Sequence, residues 1–171
     1  MGLLGRGGDR GATRYTMQEK LFSIGDDAWI ENAEGEKVYK ADGKALRMRN
    51  TFILEDRAGT AVASIQQKML HVRDTMEIER DGQTIAKVQK ALVAPLRDRF
   101  KIELTPGGEW EAQGNVLDHE YEIKNGRDKI AEISKKWVRV RDTYNIEVEP
   151  GQDDGLVITI AIAIDEMRRG E

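Results

Sequence analysis

The feature that most constrains this chain is an unbroken apolar run at residues 156–164, Leu-Val-Ile-Thr-Ile-Ala-Ile-Ala-Ile, close to the C-terminus. The run has no polar face at the strand period of about two residues or at the helical period of about 3.6. A segment that is apolar on every side is buried in protein or lies in lipid. Its nine residues are roughly half of the ~20 that a membrane-spanning helix needs, so burial in protein is the better interpretation. The rest of the chain is therefore predicted to enclose this run.

The composition fits a soluble globular domain. The chain has 171 residues, of which 34% are charged and 39% hydrophobic, enough for one domain with a substantial core. A net charge of −4 gives no general attraction to nucleic acid, so no nucleic-acid partner is predicted. The absence of cysteine excludes disulfides and thiol catalysis, and it fits a reducing compartment.

The N-terminal segment differs in composition from the rest of the chain. Residues 1–12 contain five glycines and two arginines, and only Leu3 and Leu4 form an apolar pair. A secretory signal needs a longer apolar stretch. We therefore predict a disordered Gly/Arg-rich tail at 1–13 and a single domain at 14–169, in a cytoplasmic protein without a transmembrane segment.

From Tyr15 onward, a two-strand unit recurs about every 24 residues. Each unit has a fixed apolar position, here called the anchor, which a glycine follows within three to five residues. From the second unit on, an aromatic residue or methionine stands two positions before the anchor. Alternation such as Met-Glu-Ile-Glu at residues 76–79 predicts strands with one apolar and one charged face. The anchors are Ile30, Leu54, Ile78, Ile102, Ile123 and Ile146.

The turns within the units also recur. Residues 28–38 align without gaps on residues 52–62, with Asn32 and Asp56 supplying turn chemistry ahead of Gly35 and Gly59. A Val-Arg-Asp-Thr block at 72–75 and 140–143 predicts further tight turns with arginine on the rim. Six two-strand units make about twelve antiparallel strands. Closing them into a barrel removes the sheet edges and creates an interior that can hold the apolar run.

The residues alone leave the conformation of the apolar run open. Its β-branched residues and Ile-Ala alternation favour a strand. Its flanks favour a helix, since Asp153 and Asp154 could cap the N-terminus and Arg168 and Arg169 suit the negative end of a helix dipole. Both conformations remain possible at this point.

The order of several segments resembles the LURP-one-related family. The segments are residues 20–25 (Lys-Leu-Phe-Ser-Ile-Gly), 38–46, 66–70, and the apolar run ending in Ile164-Asp165-Glu166. This family is grouped with Tubby C-terminal domains and phospholipid scramblases. The resemblance implies an all-β fold with one central helix. That fold is an antiparallel closed barrel of about twelve strands around a buried apolar helix at about 155–167.

No motif of a known catalytic or metal site occurs in the chain. P-loop, dinucleotide-binding, Gly-x-Ser-x-Gly and His-Glu-x-x-His patterns are all missing. The two histidines, His71 and His119, lack metal-type spacing and are predicted to be surface or rim residues. The paired acids at 26–27 and 153–154 fall at predicted turns. We therefore predict no enzymatic activity, no cofactor and no metal site.

The most suggestive surface feature is the segment Lys-Lys-Trp-Val-Arg-Val-Arg at 135–141. Tubby-type domains bind phosphoinositide head groups through surface lysine and arginine, so the resemblance implies a module for an anionic lipid or phosphorylated small molecule. A solvated strand face balanced by Glu147, Glu149, Asp153 and Asp154 is the structural alternative. A regulatory or stress-response scaffold with a protein partner is the functional alternative. The candidate anion-binding residues are Lys135, Lys136, Arg139, Arg141, Lys68 and Arg73.

Overall fold

The structure is a computed structural model that describes residues 11–18, 27–42, 51–68, 75–91, 98–116, 118–136 and 141–169. These residues form antiparallel strands followed by one long helix. The strands are β1 (Thr13–Gln18), β2 (Ala28–Asn32), β3 (Lys37–Asp42), β4 (Thr51–Asp56), β5 (Ala61–Lys68), β6 (Thr75–Arg80), β7 (Gln83–Lys90), β8 (Asp98–Leu104), β9 (Glu109–Asn115), β10 (Glu120–Asn125), β11 (Asp128–Ser134) and β12 (Thr143–Val148), and helix α1 is Asp154–Arg169.

The strands close into a barrel in which each strand pairs with the strands before and after it in sequence, and β1 pairs with β12. Five of the six predicted two-strand units are hairpins closed by turns of two or four residues, which all lie at one end of the barrel, here called the tight-turn end. The sixth is not a strand pair, because β12 is followed by α1, and β1 supplies the twelfth strand. The remaining connections between strands join at the opposite end, here called the loop end. Because β12 runs toward the tight-turn end, α1 begins there and ends at the loop end.

The repeat correctly identifies the inward-facing positions. All six anchors are fully buried, and the residues two positions before five of them are buried as well. The ladder register places anchors against apolar partners, as in Ile65↔Ile78, Val88↔Ile102 and Ile133↔Ile146. The apolar faces of the strands thus meet inside the barrel, as the period-two alternation predicts.

The two aligned turns have the same hydrogen bonds. The Asn32 Oδ1 atom accepts from the N–H groups of Glu34 at 3.0 Å and Glu36 at 2.9 Å. The Asp56 Oδ1 atom accepts from Ala58 and Thr60, both at 2.9 Å. The glycines in these turns have φ of 80° and 84°, a region that side chains rarely adopt. The Asx-Gly spacing therefore specifies one turn geometry twice.

The apolar run is a helix that fills the barrel, so the strand alternative is wrong. Every residue from Leu156 to Asp165 is buried. Asp153 caps the helix, since its Oδ1 atom accepts from the Leu156 N–H at 3.1 Å. The first turn lies so close to β5 that a Cβ at Gly155 would come within 2.4 Å of Val62 Cγ1. In the described part of the chain, no helix is long and apolar enough to cross a membrane.

On the outward face of the strands, where the alternation predicts charged residues, four polar side chains are buried, and one of them is Ser134 opposite Asn145. Thr143 and Asn145 alternate with the inward residues of β12 and are nevertheless buried, and Glu77 on β6 is buried too. Asn145 is covered because the chain just after β11 folds over it and its side chain donates to the Lys136 carbonyl. Glu77 lies beside Lys87, with Nζ 3.7 Å from its Oε1 atom.

Candidate ligand-binding surface and buried polar clusters

The two ends of the barrel differ in charge. Among the described residues that join strands at the loop end, three are basic (Lys135, Lys136 and Arg141) and three are acidic (Asp27, Asp118 and Asp142), so their charges balance. The corresponding turns at the other end, with the link to α1 included, contain two basic and five acidic residues, an excess of three negative charges. Among the described residues, the loop end is therefore less negative than the tight-turn end.

Three of the candidate anion-binding residues are described, and all three lie at the loop end. Lys135 and Lys136 follow β11, and Arg141 precedes β12, so they belong to one connection. All three side chains are exposed. Asp142 follows Arg141 with a φ of 61°, which matches the tight turn expected from the Val-Arg-Asp-Thr block.

The remaining candidates cannot be placed as side chains. The backbone of Lys68 ends β5 at the same end of the barrel, and its side chain lies outside the described residues, as do Arg73 and Arg139. His71 and Trp137 also lie outside them. The structure therefore shows where half of the predicted set lies.

Acidic residues partly balance this surface. The Lys136 Nζ atom is 3.1 Å from Glu132 Oε1, and the hydrogen bond with this carboxylate raises the pKa of Lys136 above its usual value. Glu120 accepts from the main-chain N–H of Lys135 at 2.9 Å. Glu120 and Glu132 thus contact Lys135 and Lys136, respectively. Neither acid is among those expected from the interpretation of this segment as a solvated strand face.

Two of the acids expected to balance the basic segment lie elsewhere, which corrects that part of the sequence interpretation. Asp153 and Asp154 are at the tight-turn end, because they begin a helix that spans the barrel. Glu149 pairs with Lys129 at 3.4 Å and Glu147 with Arg14 at 2.7 Å. Glu147 still raises the pKa of Lys136 slightly through its charge.

A buried polar cluster lies between α1 and the barrel near the loop end. The Asp165 Oδ2 atom accepts from the Tyr144 hydroxyl at 2.7 Å, and Asp165 Oδ1 lies 3.1 Å from His119 Nε2. The His119 and Tyr144 rings stack with centroids 4.1 Å apart. Because His119 is only 3% exposed, its expected surface or rim position is wrong.

The three central side chains of this cluster are almost completely buried, with Tyr144 at 0%, Asp165 at 2% and His119 at 3% exposure. Tyr121 lies nearby, and burial raises the pKa of its hydroxyl well above the usual range, with the Asp165 charge raising it further. The His119 Nδ1 atom is buried without a hydrogen-bond partner among the described residues. The cluster joins the end of α1 to β12 and to the residue directly before β10.

A second polar cluster fixes the start of α1 at the tight-turn end. Arg80 donates from Nη1 to Asp153 Oδ2 at 2.7 Å and from Nη2 to Oδ1 at 3.2 Å. Its Nε atom donates to the Val62 carbonyl at 2.9 Å. Tyr15 donates from its hydroxyl to Asp154, and burial raises the pKa of that hydroxyl above its usual range. These bonds tie the helix to β1, β5 and β6.

The Asp153 carboxylate makes stability depend on pH. Burial alone would raise its pKa, but the Arg80 and Leu156 hydrogen bonds outweigh it and hold the pKa below its usual value. Its contribution is therefore present above the unfolded-state pKa of about 4 and is lost as the pH falls through the lower folded value. We expect wild type to be more stable than Asp153→Asn at about pH 7, with the difference shrinking toward about pH 3, measured by urea unfolding. The Asp153 carboxylate would not be the source of the pH dependence if the stability difference between wild type and Asp153→Asn did not change with pH. The same would follow if the exposed-site control Asp128→Asn showed the same pH trend.

An open cavity of about 650 Å³ lies at the tight-turn end, where β1 extends past the end of β2. Its walls combine apolar and charged side chains from β1, β3 and the two aligned turns. Tyr39 meets Tyr15 edge-on, with ring centroids 5.8 Å apart. No pattern in the sequence marks this cavity, because its lining residues come from four separate segments. The lining residues include Ala12, Arg14, Val38, Tyr39, Arg57 and Ala58.

Metal-type clusters are missing from the described residues, where no three His, Asp or Glu side chains are arranged to hold an ion. Asp26 is outside the described residues. Asp153 and Asp154 are engaged with Arg80 and Tyr15, respectively. The paired acids at 153–154 thus cap and anchor a helix.

Comparison with known proteins identifies the family. The sequence profile described as LURP-one-related matches residues 13–165, which include all twelve strands and most of α1. The chain belongs to the LURP-one-related family. This match confirms the resemblance in segment order, and the closed twelve-stranded barrel with a central helix confirms the fold that the resemblance implies.

Relatives of this LURP-one-related chain occur in bacteria and plants. An uncharacterised Bacillus subtilis protein, YxjI, is 26% identical over 149 residues, covering 87% of this chain and 90% of YxjI. Protein LURP-one-related 8 of Arabidopsis thaliana is 23% identical over 175 residues, covering 94% of this chain and 89% of the plant protein. The X-ray structure of another Arabidopsis protein matches with a TM-score of 0.70 at 14% identity, covering 92% of each chain, which supports the fold alone.

Proposed function

We propose that this LURP-one-related protein is a non-enzymatic, cytoplasmic binding module whose loop end takes an anionic ligand such as a phospholipid head group. The observation that carries the proposal is the exposure of Lys135, Lys136 and Arg141 together in one connection at the loop end of the barrel. The centre of the barrel is filled by α1, whose residues from Leu156 to Asp165 are buried. The ligand is therefore expected to bind on the outside.

The chemistry of a phosphate group suits this surface. Arginine and lysine bind phosphate oxygens through charge-assisted hydrogen bonds, and their long side chains reach beyond the barrel rim. Each lysine or arginine close to an anionic bilayer contributes about 1 kcal/mol. Four such residues in one connection would produce measurable membrane affinity, even with Glu120 and Glu132 nearby. A lipid head group and a free phosphorylated metabolite share this chemistry, and the experiment distinguishes them.

Reversing the charge of the basic connection tests the proposal. We expect the variant Lys135→Glu/Lys136→Glu/Arg139→Glu/Arg141→Glu to lose binding to phosphatidylserine-containing vesicles by at least about 100-fold in a flotation assay. Raising the salt concentration weakens the wild-type binding because exposed charges are screened. Titration calorimetry with soluble inositol phosphates forms the second arm. Binding in that arm without vesicle binding would identify a free phosphorylated molecule as the ligand.

The matched control reverses four exposed basic residues at the tight-turn end, Lys37, Arg57, Arg127 and Lys129. Both variants change the net charge equally, so loss in both would mean that only overall charge matters. The proposal requires vesicle binding in the control. Equal recovery of wild type and the loop-end variant with vesicles, together with no binding of inositol phosphates, would refute it.

A further inference from the structure

The barrel has one weak seam, between β1 and β2. Every other pair of neighbouring strands is matched at four or more positions, whereas β1 and β2 are matched only at Tyr15↔Asn32 and Thr16↔Glu31. On its other side, β1 pairs with β12 along its whole length. One edge of β1 therefore has little partner strand beside it.

The hairpin after β2 explains why the ladder stops. The Asn32 N–H donates to the Glu36 carbonyl at 2.9 Å, and the Asn32 carbonyl accepts from Gly35 at 3.0 Å. The N–H and C=O groups of Asn32 thus face β3. Because the direction of these groups alternates along a strand, those of Glu31 face β1, and those of its partner Thr16 face β2. The same alternation turns Arg14 and Ala12 toward the β2 side, beyond its last paired residue. Both residues also line the 650 Å³ cavity.

The cavity wall opposite this edge suits a peptide side chain. Val38 and Tyr39 provide a partly buried apolar surface, and Ala58 lies exposed at the rim. Arg14 and Arg57 stand at the sides, where Arg14 pairs with Glu147 at 2.7 Å and Arg57 with Glu36 at 3.3 Å. Each guanidinium keeps an Nη1 group outside the bonds that fix it. A ligand could therefore bond to the strand edge and pack on Tyr39 at the same time.

We propose that this seam is a docking site for an extended peptide of a partner protein, which adds to the open edge of β1 at Ala12 and Arg14 and places an apolar side chain against Val38 and Tyr39. An extended backbone is the chemical form that pairs with such a strand edge, and the adjacent pocket gives specificity for alternate side chains. The loop end with its basic residues is at the other end of the barrel, so this site is independent of anion binding.

Selection from a random heptapeptide phage library on the full-length protein tests the proposal. The selected peptides should bind wild type at least about 10-fold more tightly than Ala58→Trp, which fills the cavity from an exposed turn position. Bound peptide should slow amide exchange at Arg14, measured by NMR. The control Arg127→Trp places the same side chain in another exposed turn at the same end and should leave binding unchanged.

Three results would overturn the proposal. The library could yield no peptide that distinguishes wild type from Ala58→Trp. Selected peptides could bind Ala58→Trp as tightly as Arg127→Trp. Binding could also leave exchange at Arg14 unaltered, which would mean that the strand edge takes no part. None of these results would argue for or against vesicle binding through the basic connection, which lies at the other end of the barrel.

Discussion

Replacing Ala161 by aspartate is expected to prevent the chain from folding into the barrel. Ala161 is fully buried in the middle of α1, with apolar residues on both sides in sequence and strands around it. An isolated carboxylate buried there costs several kcal/mol, and a domain of this kind has about 5–15 kcal/mol of total stability. Circular dichroism during urea unfolding should show no cooperative transition, and the protein should be recovered mainly in insoluble form.

The matched control for this variant is Ala58→Asp, at an exposed position in the β4–β5 turn. The bond from Ala58 to Asp56 is made by the main-chain N–H, which the substitution keeps, so a charge at this exposed position changes stability by about 0.5 kcal/mol or less. Ala58→Asp should therefore unfold at nearly the wild-type urea midpoint. A soluble Ala161→Asp protein with the same midpoint as this control would show that the helix does not fill the barrel.

The second large effect is expected for Asp165→Ala. This change removes the acceptor of the Tyr144 hydroxyl and the partner of His119, and both side chains stay buried. Each buried polar group left without its partner costs about 1–3 kcal/mol, so we expect a total loss of about 2–5 kcal/mol in the free energy of unfolding. Tyr144→Phe removes only one of the two bonds and should cost about 1–3 kcal/mol.

A double-mutant cycle separates this network from simple loss of packing. Asp165→Ala and Tyr144→Phe share one hydrogen bond, so the double variant should be less destabilised than the sum of the single changes, by about 1 kcal/mol. Asp128→Ala, at an exposed position in β11, controls for the loss of an aspartate and should stay within about 0.5 kcal/mol of wild type. Strict additivity of the two single changes would contradict the proposed bond.

The sequence predicts the barrel well because its local signals agree with one another. The anchors repeat at nearly constant spacing, and Asn32 and Asp56 specify their turns through bonds to residues only two and four positions away. The cap at Asp153 is also a local signal, since it bonds to Leu156. The conformation of the apolar run is different, because its β-branched composition and its caps favour opposite structures. Its surroundings decide in favour of the helix.

The polar interior could not be predicted because its partners are far apart in sequence. His119 meets an aspartate 46 residues later, and no spacing rule connects them. One signal did exist, since Asp165 directly follows a run that is buried on all sides and so needs a buried partner of its own. The burial of Asn145 depends on a main-chain carbonyl of the β11–β12 connection, which strand alternation does not reveal.

Half of the candidate anion site follows from the sequence in a similar way. The basic segment was visible as a run of charges, and the strand order places Lys135, Lys136 and Arg141 at one barrel end. The local acids were misassigned because sequence neighbours such as Asp153 lie across the barrel, whereas Glu120 reaches Lys135 from an adjacent strand. Strand pairing is needed to find Glu120, whereas Glu132 lies only four residues before Lys136 and could have been found from the sequence.

The enclosure of the apolar run by the barrel is tested most directly by residue-resolved NMR of the amides in residues 156–164. A helix enclosed by the barrel should give helical ¹³Cα shifts and the slowest hydrogen exchange in the protein, because these amides open only when the whole barrel unfolds. Their exchange should match the global free energy of unfolding from urea experiments. Strand-like shifts, or exchange as fast as that of the exposed turn at residues 57–60, would contradict a barrel built around this run.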